Sequence, residues 1–219
     1  MTKAVLFDLD GVVFDTEPQY TTFWARECQR YHPEHPGLEH EIKGQTLTQI
    51  YDRWFSGPLQ QQQAYITARL DDFERQMQFI YVPGFETFID KLHQRGIRTA
   101  VVTSSNRSKM QAVYQQIPGF SSLFDAILTS EDFAQSKPSP DCYLRGAMRL
   151  QVLPHECVVM EDSFNGLRSG RASGARVVGL STTNSAHDIQ PYCDLVIADY
   201  HDPRLWPFLD VSPGIADNS

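Results

Sequence analysis

The first apolar segment of the chain, Ala4–Leu9, carries two acidic residues at its end. Asp8 and Asp10 are separated by one residue, and Gly11 then lets the chain turn sharply. If the segment is a strand, its period of two places both carboxylates on one side. Two adjacent carboxylates repel each other unless a cation or a proton relieves them. The pair therefore indicates a nucleophile or ligands for a cation, and an Asx turn or helix cap is the structural alternative.

Three later segments carry complementary chemistry. Thr103 and Ser104 follow an apolar run, where hydroxyls and backbone N–H groups can hold an anion, although such residues are also ordinary helix caps. Lys137 stands in a loop before a predicted helix and supplies a cation, or is only a solvated charge. Glu161 and Asp162 form a second acid pair after an apolar run, and their oxygens suit Mg²⁺.

Short apolar segments position these residues. Near-continuous apolar runs are typical of strands covered on both faces, and helical patterns separate them from Pro83 onward. This alternation predicts an α/β fold with a parallel sheet, and all four polar segments then lie at the carboxyl ends of strands. The predicted strands are Ala4–Leu9, Thr99–Thr103, Ala126–Leu128, Val158–Met160, Val177–Leu180 and Leu195–Ala198. The helices predicted between them are Phe85–Gln94, Arg107–Gln116, Asp141–Leu150 and Asn165–Ser173.

Residues 17–79 have a different pattern, in which no segment resembles a strand. A loop is predicted at 32–37 because of its two prolines and its glycine. The sequence therefore predicts a Rossmann-like parallel sheet core at 1–16 and 80–219, interrupted by an inserted all-helical cap domain at 17–79. The predicted helices of this insert are Pro18–Tyr31, Gln45–Phe55 and Leu59–Phe79.

The composition argues against several classes of protein. The chain has 219 residues and a formal net charge of -8, which argues against nucleic-acid binding because phosphates need a basic patch. Neither a leader's apolar stretch nor a run of roughly 18 apolar residues is found, so we expect no membrane span. The 4 cysteines lack metal-ligand spacing and are interpreted as buried free thiols in a reducing compartment. We therefore expect a cytoplasmic protein, and a monomer by default.

Phe7–Thr16 and the later polar segments resemble a known family. The segment Phe-Asp-Leu-Asp-Gly-Val-Val-Phe-Asp-Thr, followed by Thr103-Ser104, Lys137-Pro138 and Glu161-Asp162-Ser163, is similar in order and spacing to the four motifs of the haloacid dehalogenase-like (HAD) hydrolase superfamily. The branch it resembles is the β-phosphoglucomutase-like phosphatases with a helical cap. The resemblance implies a Mg²⁺-dependent phosphatase that hydrolyses a small phosphorylated metabolite, a sugar or polyol phosphate, through an aspartyl-phosphate intermediate.

The resemblance also implies a role for each reactive residue. Asp8 would attack phosphorus and become the aspartyl phosphate, which divides hydrolysis into two easier steps. Asp10 would protonate the leaving oxygen and then activate water as the base. Thr103 and Ser104 would hold the transferring phosphoryl group, and Lys137 would balance its charge.

A magnesium site is implied by the same resemblance. The ligands would be the Asp8 carboxylate, the Asp10 backbone carbonyl and Asp162, with Glu161 beside the ion. The ion would screen the charge of Asp8 from the incoming phosphate.

The phosphatase has three alternatives. A dehalogenase is disfavoured because Asp10 has no counterpart in the dehalogenases of the superfamily, whose halide leaving group needs no proton. A β-phosphoglucomutase-type phosphomutase stays open, although Tyr20 stands where the mutase has His, and Gln45-Thr46-Leu47 after Lys43-Gly44 contains no Arg. A non-catalytic phosphate-binding protein on the same fold also stays open. Candidates for setting specificity from the cap are Glu17, Tyr20, Lys43 and Arg69.

Overall fold

A six-stranded parallel sheet forms the centre of the computed structural model, which describes residues 1–43 and 45–210. The strands are β1 (Ala4–Phe7), β2 (Arg98–Val102), β3 (Ala126–Leu128), β4 (Cys157–Glu161), β5 (Arg176–Leu180) and β6 (Leu195–Ile197). Their order is β3-β2-β1-β4-β5-β6, and every neighbouring pair is parallel. The order reverses between β1 and β4, where open α/β sheets form a ligand crevice at the carboxyl ends of their strands.

Ten α-helices accompany the sheet within the described residues. They are α1 (Glu17–Tyr31), α2 (Leu38–Glu41), α3 (Leu47–Trp54), α4 (Gln63–Gln76), α5 (Phe85–Gln94), α6 (Arg107–Gln116), α7 (Asp141–Arg149), α8 (Phe164–Ala172), α9 (Ala186–Ile189) and α10 (Leu205–Asp210). Within the part of the chain that the structure describes, none of these helices is long and apolar enough to cross a membrane.

Alternate residues of β1 pack on opposite faces of the sheet. Val5 and Phe7 belong to a cluster that includes side chains of α5, α6 and α10. Ala4 and Leu6 belong to a second cluster, with side chains of α7, α8 and α9. Because helices cover both faces, the strands are apolar on both sides, which explains their near-continuous apolar sequence. The predicted α/β fold with a parallel sheet is confirmed.

Helices α1 to α4 lie between β1 and α5 and have a hydrophobic cluster of their own. Its largest buried members include Phe23, Trp24, Tyr51 and Phe55. This all-helical insert agrees with the predicted fold class. The division into a core at 1–16 and 80–219 and a cap at 17–79 stays a prediction, and Gly44 and 211–219 lie outside the described residues.

The predicted single helix Leu59–Phe79 is wrong. The chain instead forms a 3₁₀ helix at Gly57–Gln62 and then α4, which ends before an extended Met77. Met77 and Phe79 leave the helix because their side chains pack into the cluster of the sheet rather than into that of the insert. The short α2, which follows a left-handed Gly37, was not predicted, since four residues are too few to show a helical period.

Candidate active site

Asp8 leaves the sheet immediately after β1 and meets a buried lysine. Its backbone N–H donates to the Met160 carbonyl at 3.0 Å, which extends the pairing of β1 with β4 by one residue. Lys137 is only 1% exposed, so the interpretation of a solvated charge is wrong, and its Nζ lies 2.5 Å from Asp8 Oδ1. Burial alone would lower the pKa of Lys137, but Asp8 and Glu161 outweigh burial and raise it above its usual value. The ammonium group therefore stays charged.

Glu161 at the end of β4 is enclosed by donors. Its Oε1 accepts from Lys137 Nζ at 2.6 Å and from the Tyr143 hydroxyl at 2.8 Å. Its Oε2 accepts from the backbone N–H groups of Asp162 and Ser163 at 3.0 and 3.1 Å, and from the Ser163 hydroxyl. Burial would raise the pKa of Glu161, but Lys137 and these donors hold it below its usual range. Glu161 is therefore an ionised group whose oxygens are already engaged.

Three buried carboxylates form a cluster that fits a divalent cation. One oxygen each from Asp8, Glu161 and Asp162 lies within 4.8 Å of the others. Burial raises the pKa of Asp8 to about 7, with Glu161 and Asp10 adding to the effect, and it raises that of Asp162 well above its usual value. Lys137 offsets only part of this negative charge. Because the oxygens of Glu161 already accept hydrogen bonds, Asp8 and Asp162 are the side chains best placed to ligate a hard cation.

Backbone turns bring the cluster together. Gly11 has a φ of +72°, and a Cβ at this position would collide with the Asp162 carboxylate. The loop after β5 supports the same region, since Thr183 Oγ1 donates to Asp162 Oδ2 and Asn184 Nδ2 donates to the Asp162 carbonyl at 2.9 Å. Thr182 Oγ1 donates to the Gly11 carbonyl at 2.6 Å. Glycine is needed at residue 11 because the turn after β1 and the loop that carries Asp162 approach each other too closely to leave room for a Cβ.

Asp10 lies in a different environment from Asp8. Its Oδ1 accepts from the Thr16 hydroxyl, and its Oδ2 accepts from Ser105 Oγ at 3.1 Å and from Lys109 Nζ. Because β1 ends at Phe7, strand alternation does not direct this side chain. The turn that follows the strand nevertheless brings Asp10 to the cavity that Asp8 also lines.

Thr103 and Ser104 line the same cavity at the end of β2. Thr103 Oγ1 accepts from the Ser105 backbone N–H at 3.0 Å. Among the described residues, Ser104 Oγ is buried and has no hydrogen-bond partner. The helix-capping alternative applies to Asn106, whose Oδ1 accepts from the Lys109 backbone N–H at 2.9 Å at the start of α6. An anion held at this place would supply the acceptor that Ser104 lacks.

The comparisons with known proteins agree with this geometry. Residues 2–174 match the family of haloacid dehalogenase-like hydrolases. The chain belongs to this family. Hexitol phosphatase A of Escherichia coli is 31% identical over 82% of this chain and 83% of its own length. Bifunctional riboflavin kinase/FMN phosphatase of Arabidopsis thaliana is 26% identical over 96% of this chain, which spans only 58% of that protein.

A solved structure shows the same fold. A HAD hydrolase of family IA, variant 3, from Entamoeba histolytica superposes with a TM-score of 0.81 at 22% identity, covering 96% of this chain and 98% of its own. The family match and the names of the relatives support the predicted class of enzyme, a hydrolase of phosphate monoesters.

The helical insert forms the other wall of a cavity of about 640 Å³. Glu17, Tyr20 and Lys43 line it, as proposed for specificity, and Lys43 Nζ lies 3.2 Å from Glu17 Oε2. Arg69 does not line it, because its guanidinium binds the Glu27 carboxylate at 2.6 and 2.9 Å. Arg69 was therefore a wrong candidate, since the partner that holds it within the insert is not evident from sequence.

At the junction of the sheet and the insert, Lys109 and Glu74 were missed from the sequence, although their neighbour Tyr20 was named. Lys109 is 1% exposed, and its Nζ lies 4.5 Å from the centre of the Tyr20 ring. The Tyr20 hydroxyl donates to Glu74 Oε1 at 2.7 Å, and burial raises the pKa of Glu74 to about 6 although Lys109 lowers it. A signal existed, because Lys109 lies in the first turn of α6, where the helix dipole disfavours a cation.

Proposed function

We propose that this protein is a Mg²⁺-dependent phosphatase that hydrolyses a small sugar or polyol phosphate through an aspartyl-phosphate intermediate. One observation carries the proposal: Asp8 and Asp10 line one cavity but have different partners. Asp8 belongs to the carboxylate cluster with Lys137, and Asp10 is held by hydroxyl and ammonium donors. Two carboxylates in unlike environments are suited to two chemical roles.

In the first half of the proposed reaction, an Asp8 oxygen attacks phosphorus and the bond to the leaving oxygen breaks. Asp10 gives its proton to that oxygen, because an alkoxide is a poor leaving group. Thr103 and Ser104 bind the phosphoryl oxygens, and the unpartnered hydroxyl of Ser104 supports this assignment. Lys137, charged and in contact with Asp8, stabilises the negative charge that gathers around phosphorus.

In the second half, water attacks the phosphorus of the aspartyl phosphate. Asp10 now accepts a proton from that water, and the bond between phosphorus and Asp8 breaks, which releases inorganic phosphate. Asp10 is protonated again and ready for another substrate. The same residue thus acts as acid and then as base, and Asp8 returns to its ionised form beside Lys137.

The residues that would hold Mg²⁺ are the Asp8 and Asp162 carboxylates and the Asp10 backbone carbonyl. When bound, the ion supplies positive charge that lets the anionic Asp8 approach an anionic phosphate. Glu161 would act beside the ion by fixing Lys137 and the backbone of Asp162 through its hydrogen bonds.

Two observations favour water over a second sugar as the acceptor. A mutase must hold a second phosphate, yet among the residues that line the cavity the insert contributes one cation, Lys43, which pairs with Glu17. Tyr20 stands where the mutase has His, and its hydroxyl already donates a hydrogen bond to Glu74. The similarity to hexitol phosphatase A supports a polyol or sugar phosphate as the substrate class.

The experiment that tests the proposal is a screen of phosphorylated metabolites with Mg²⁺, in which inorganic phosphate release is measured. We expect turnover of at least one sugar or polyol phosphate and loss of turnover after chelation. Interconversion of β-glucose 1-phosphate and glucose 6-phosphate that is faster than phosphate release would establish the mutase instead. Binding without turnover, in protein shown to be folded, would favour the non-catalytic alternative.

We also propose a monomer in a reducing compartment such as the cytoplasm. The four cysteines Cys28, Cys142, Cys157 and Cys193 are free, which is typical of proteins that stay in such a compartment. Size-exclusion chromatography with light scattering would test the monomer.

A further inference from the structure

Lys109 is a fully buried lysine that the proposed chemistry does not use. A buried ammonium group loses its hydration, so it destabilises a fold unless acceptors replace the water. The acceptors here are Asp10 Oδ2 and the face of the Tyr20 ring. An apolar side chain of the same length would fill this position without that cost. The buried charge of Lys109 is therefore best explained by an effect that it has on Asp10.

The surroundings of Lys109 repeat those of Lys137. Lys137 contacts Asp8, its Nζ lies 5.1 Å from the centre of the Tyr143 ring, and the Tyr143 hydroxyl donates to Glu161. In the same way, Lys109 contacts Asp10 and lies over a tyrosine ring whose hydroxyl donates to a glutamate. Each acid of the first motif thus has a lysine, a tyrosine and a glutamate arranged behind it.

The two sets differ in the elements that supply them. Asp8, Lys137, Tyr143 and Glu161 all belong to the sheet and its flanking segments. Of the second set, which we call the junction set (Asp10, Lys109, Tyr20 and Glu74), Tyr20 lies on α1 and Glu74 on α4 of the helical insert.

Helix α4 lies beside α6, the helix of Lys109. Gln116 Nε2 donates to the Arg75 carbonyl at 3.2 Å, and Ser108 Oγ donates to Asp71 Oδ1 at 3.5 Å. The junction set is therefore complete only when the insert packs against α6 as it does here.

We propose that Lys109 is a positioning residue that orients the Asp10 carboxylate for proton transfer, and that Tyr20 makes this orientation depend on the docking of the helical insert. The proposal rests on the proposed phosphatase function. Lys109 fixes Oδ2 of Asp10, and the Tyr20 ring restricts where the ammonium group can lie. Displacement of α1 would remove that ring and leave Lys109 free to move Asp10 away from the leaving oxygen.

The test compares leaving groups in the variant Lys109→Met. An alkyl phosphate needs a proton from Asp10, whereas p-nitrophenyl phosphate releases a stable anion that needs none. With the most active alkyl phosphate of the metabolite screen, we expect kcat to fall about 100-fold and KM to change by less than about 3-fold. Single-turnover release of p-nitrophenol, which reports the first half-reaction alone, should stay within about 3-fold of the original protein.

Lys91→Met is the matched control, since it makes the same change at an exposed lysine of α5. Equal losses with both leaving groups, or no loss with either, would overturn the positioning role. Phosphate release by the unsubstituted protein and by Lys91→Met is measured in the same assay. If these two are inactive, the proposed function fails; if they are active and Lys109→Met matches them, only the role of Lys109 fails.

Tyr20→Leu tests the dependence on the insert without removing the lysine, and it serves also if Lys109→Met does not fold. We expect the same selective loss with the alkyl phosphate, of about 10-fold, because the ring no longer confines the ammonium group. Tyr20→Phe keeps the ring, so its loss should be smaller. Equal activity of Tyr20→Leu and Tyr20→Phe would contradict the coupling.

Discussion

Asp8 and Asp10 stand two residues apart, but each is backed by a different part of the molecule. The core set, as we call it, consists of Asp8 and, behind it, Lys137, Tyr143 and Glu161. Behind Asp10, the junction set joins Lys109 to Tyr20 and Glu74 of the helical insert. The side chains around the proposed nucleophile thus all come from the sheet and its flanking segments, and the insert contributes one contact, from Gln49 Nε2 of α3 to the Lys137 carbonyl at 3.1 Å.

One motif can thus serve two chemical steps that have different needs. The proposed nucleophile would carry negative charge and hold a metal before substrate arrives, so a rigid buried cluster suits it. The acid–base group must act only on an enclosed substrate, so partners contributed by the helical insert, which covers the cavity, suit it. Substitutions in the core set and in the junction set should therefore have separable effects.

The largest effect is expected for Asp8→Asn. An amide cannot attack phosphorus, so turnover with Mg²⁺ should fall by at least about 10⁴-fold, and no phosphorylated protein should form. Phosphate release and the intact mass of the protein after mixing with substrate measure the two effects. Asp90→Asn, the same change at an exposed residue of α5, should behave as the unsubstituted protein. Near-normal activity of Asp8→Asn would make the assignment of the nucleophile wrong.

A smaller effect with a different signature is expected for Asp10→Asn. Loss of the proton donor should lower kcat by about 10² to 10⁴-fold for alkyl phosphates. Substrate should still bind within about 3-fold of its original affinity, because the core set is unchanged. Calorimetric titration with the best substrate of the screen measures that affinity. A matching loss of binding would show that the two sets are not independent.

The stability of the metal-free protein should depend on pH through the core set. The native pKa of Asp8 is raised from 3.8 to about 7, so the native state binds this proton more tightly than the unfolded state does. The contribution of Asp8 to the free energy of unfolding should therefore fall as pH rises from about 4 to 7, by at most about 4 kcal/mol, and the raised pKa of Asp162 should add to that fall. Urea denaturation in the presence of a chelator measures the fall, and saturating Mg²⁺ should remove it.

Asp8→Asn is the control for this pH dependence, because it removes the titrating carboxylate while the rest of the cluster stays. Its metal-free stability should vary less with pH over the same range. If the free energy of unfolding of the metal-free, unsubstituted protein did not change over this pH range, the core set would not carry the uncompensated negative charge that we assign to it.

The smallest effects are expected from the two tyrosine hydroxyls. Tyr143→Phe deprives the fully buried Glu161 of one donor and should lower the free energy of unfolding by about 1 to 2 kcal/mol. Tyr20→Phe removes the partner of Glu74, but Tyr20 is only half-buried, so the loss should be about 1 kcal/mol or less. Urea denaturation of the two variants at one pH gives the comparison. A larger loss of free energy of unfolding for Tyr20→Phe than for Tyr143→Phe would mean that the junction set is the more rigid one.

Much of the fold could be predicted from local patterns. The strand Ala126–Leu128 and the helices Phe85–Gln94 and Arg107–Gln116 have the predicted bounds. The end of α4 could not be predicted, because Met77 and Phe79 leave the helix to pack on the sheet. Helical periodicity reports which face is apolar, and it does not report which apolar surface will bury that face.

Local patterns in the sequence were enough to predict that Asp8, Thr103, Lys137 and Asp162 lie together at one edge of the sheet. Parallel strands all end at that edge, so residues that follow different strands must approach one another. Asp10 follows Asp8 in the motif that implied the family, but the turn after β1, rather than strand alternation, brings its side chain to the cavity.

The partners of each acid, in contrast, depend on how distant helices pack in the folded protein. Lys109, Tyr20 and Glu74 come from three helices, and their contacts depend on how α1 and α4 pack against α6. Tyr143 and Thr183 were missed for the same reason, since neither belongs to a motif. A side chain's partner is set by the packing of distant elements, which sequence spacing does not encode, whereas the end of a strand is encoded locally.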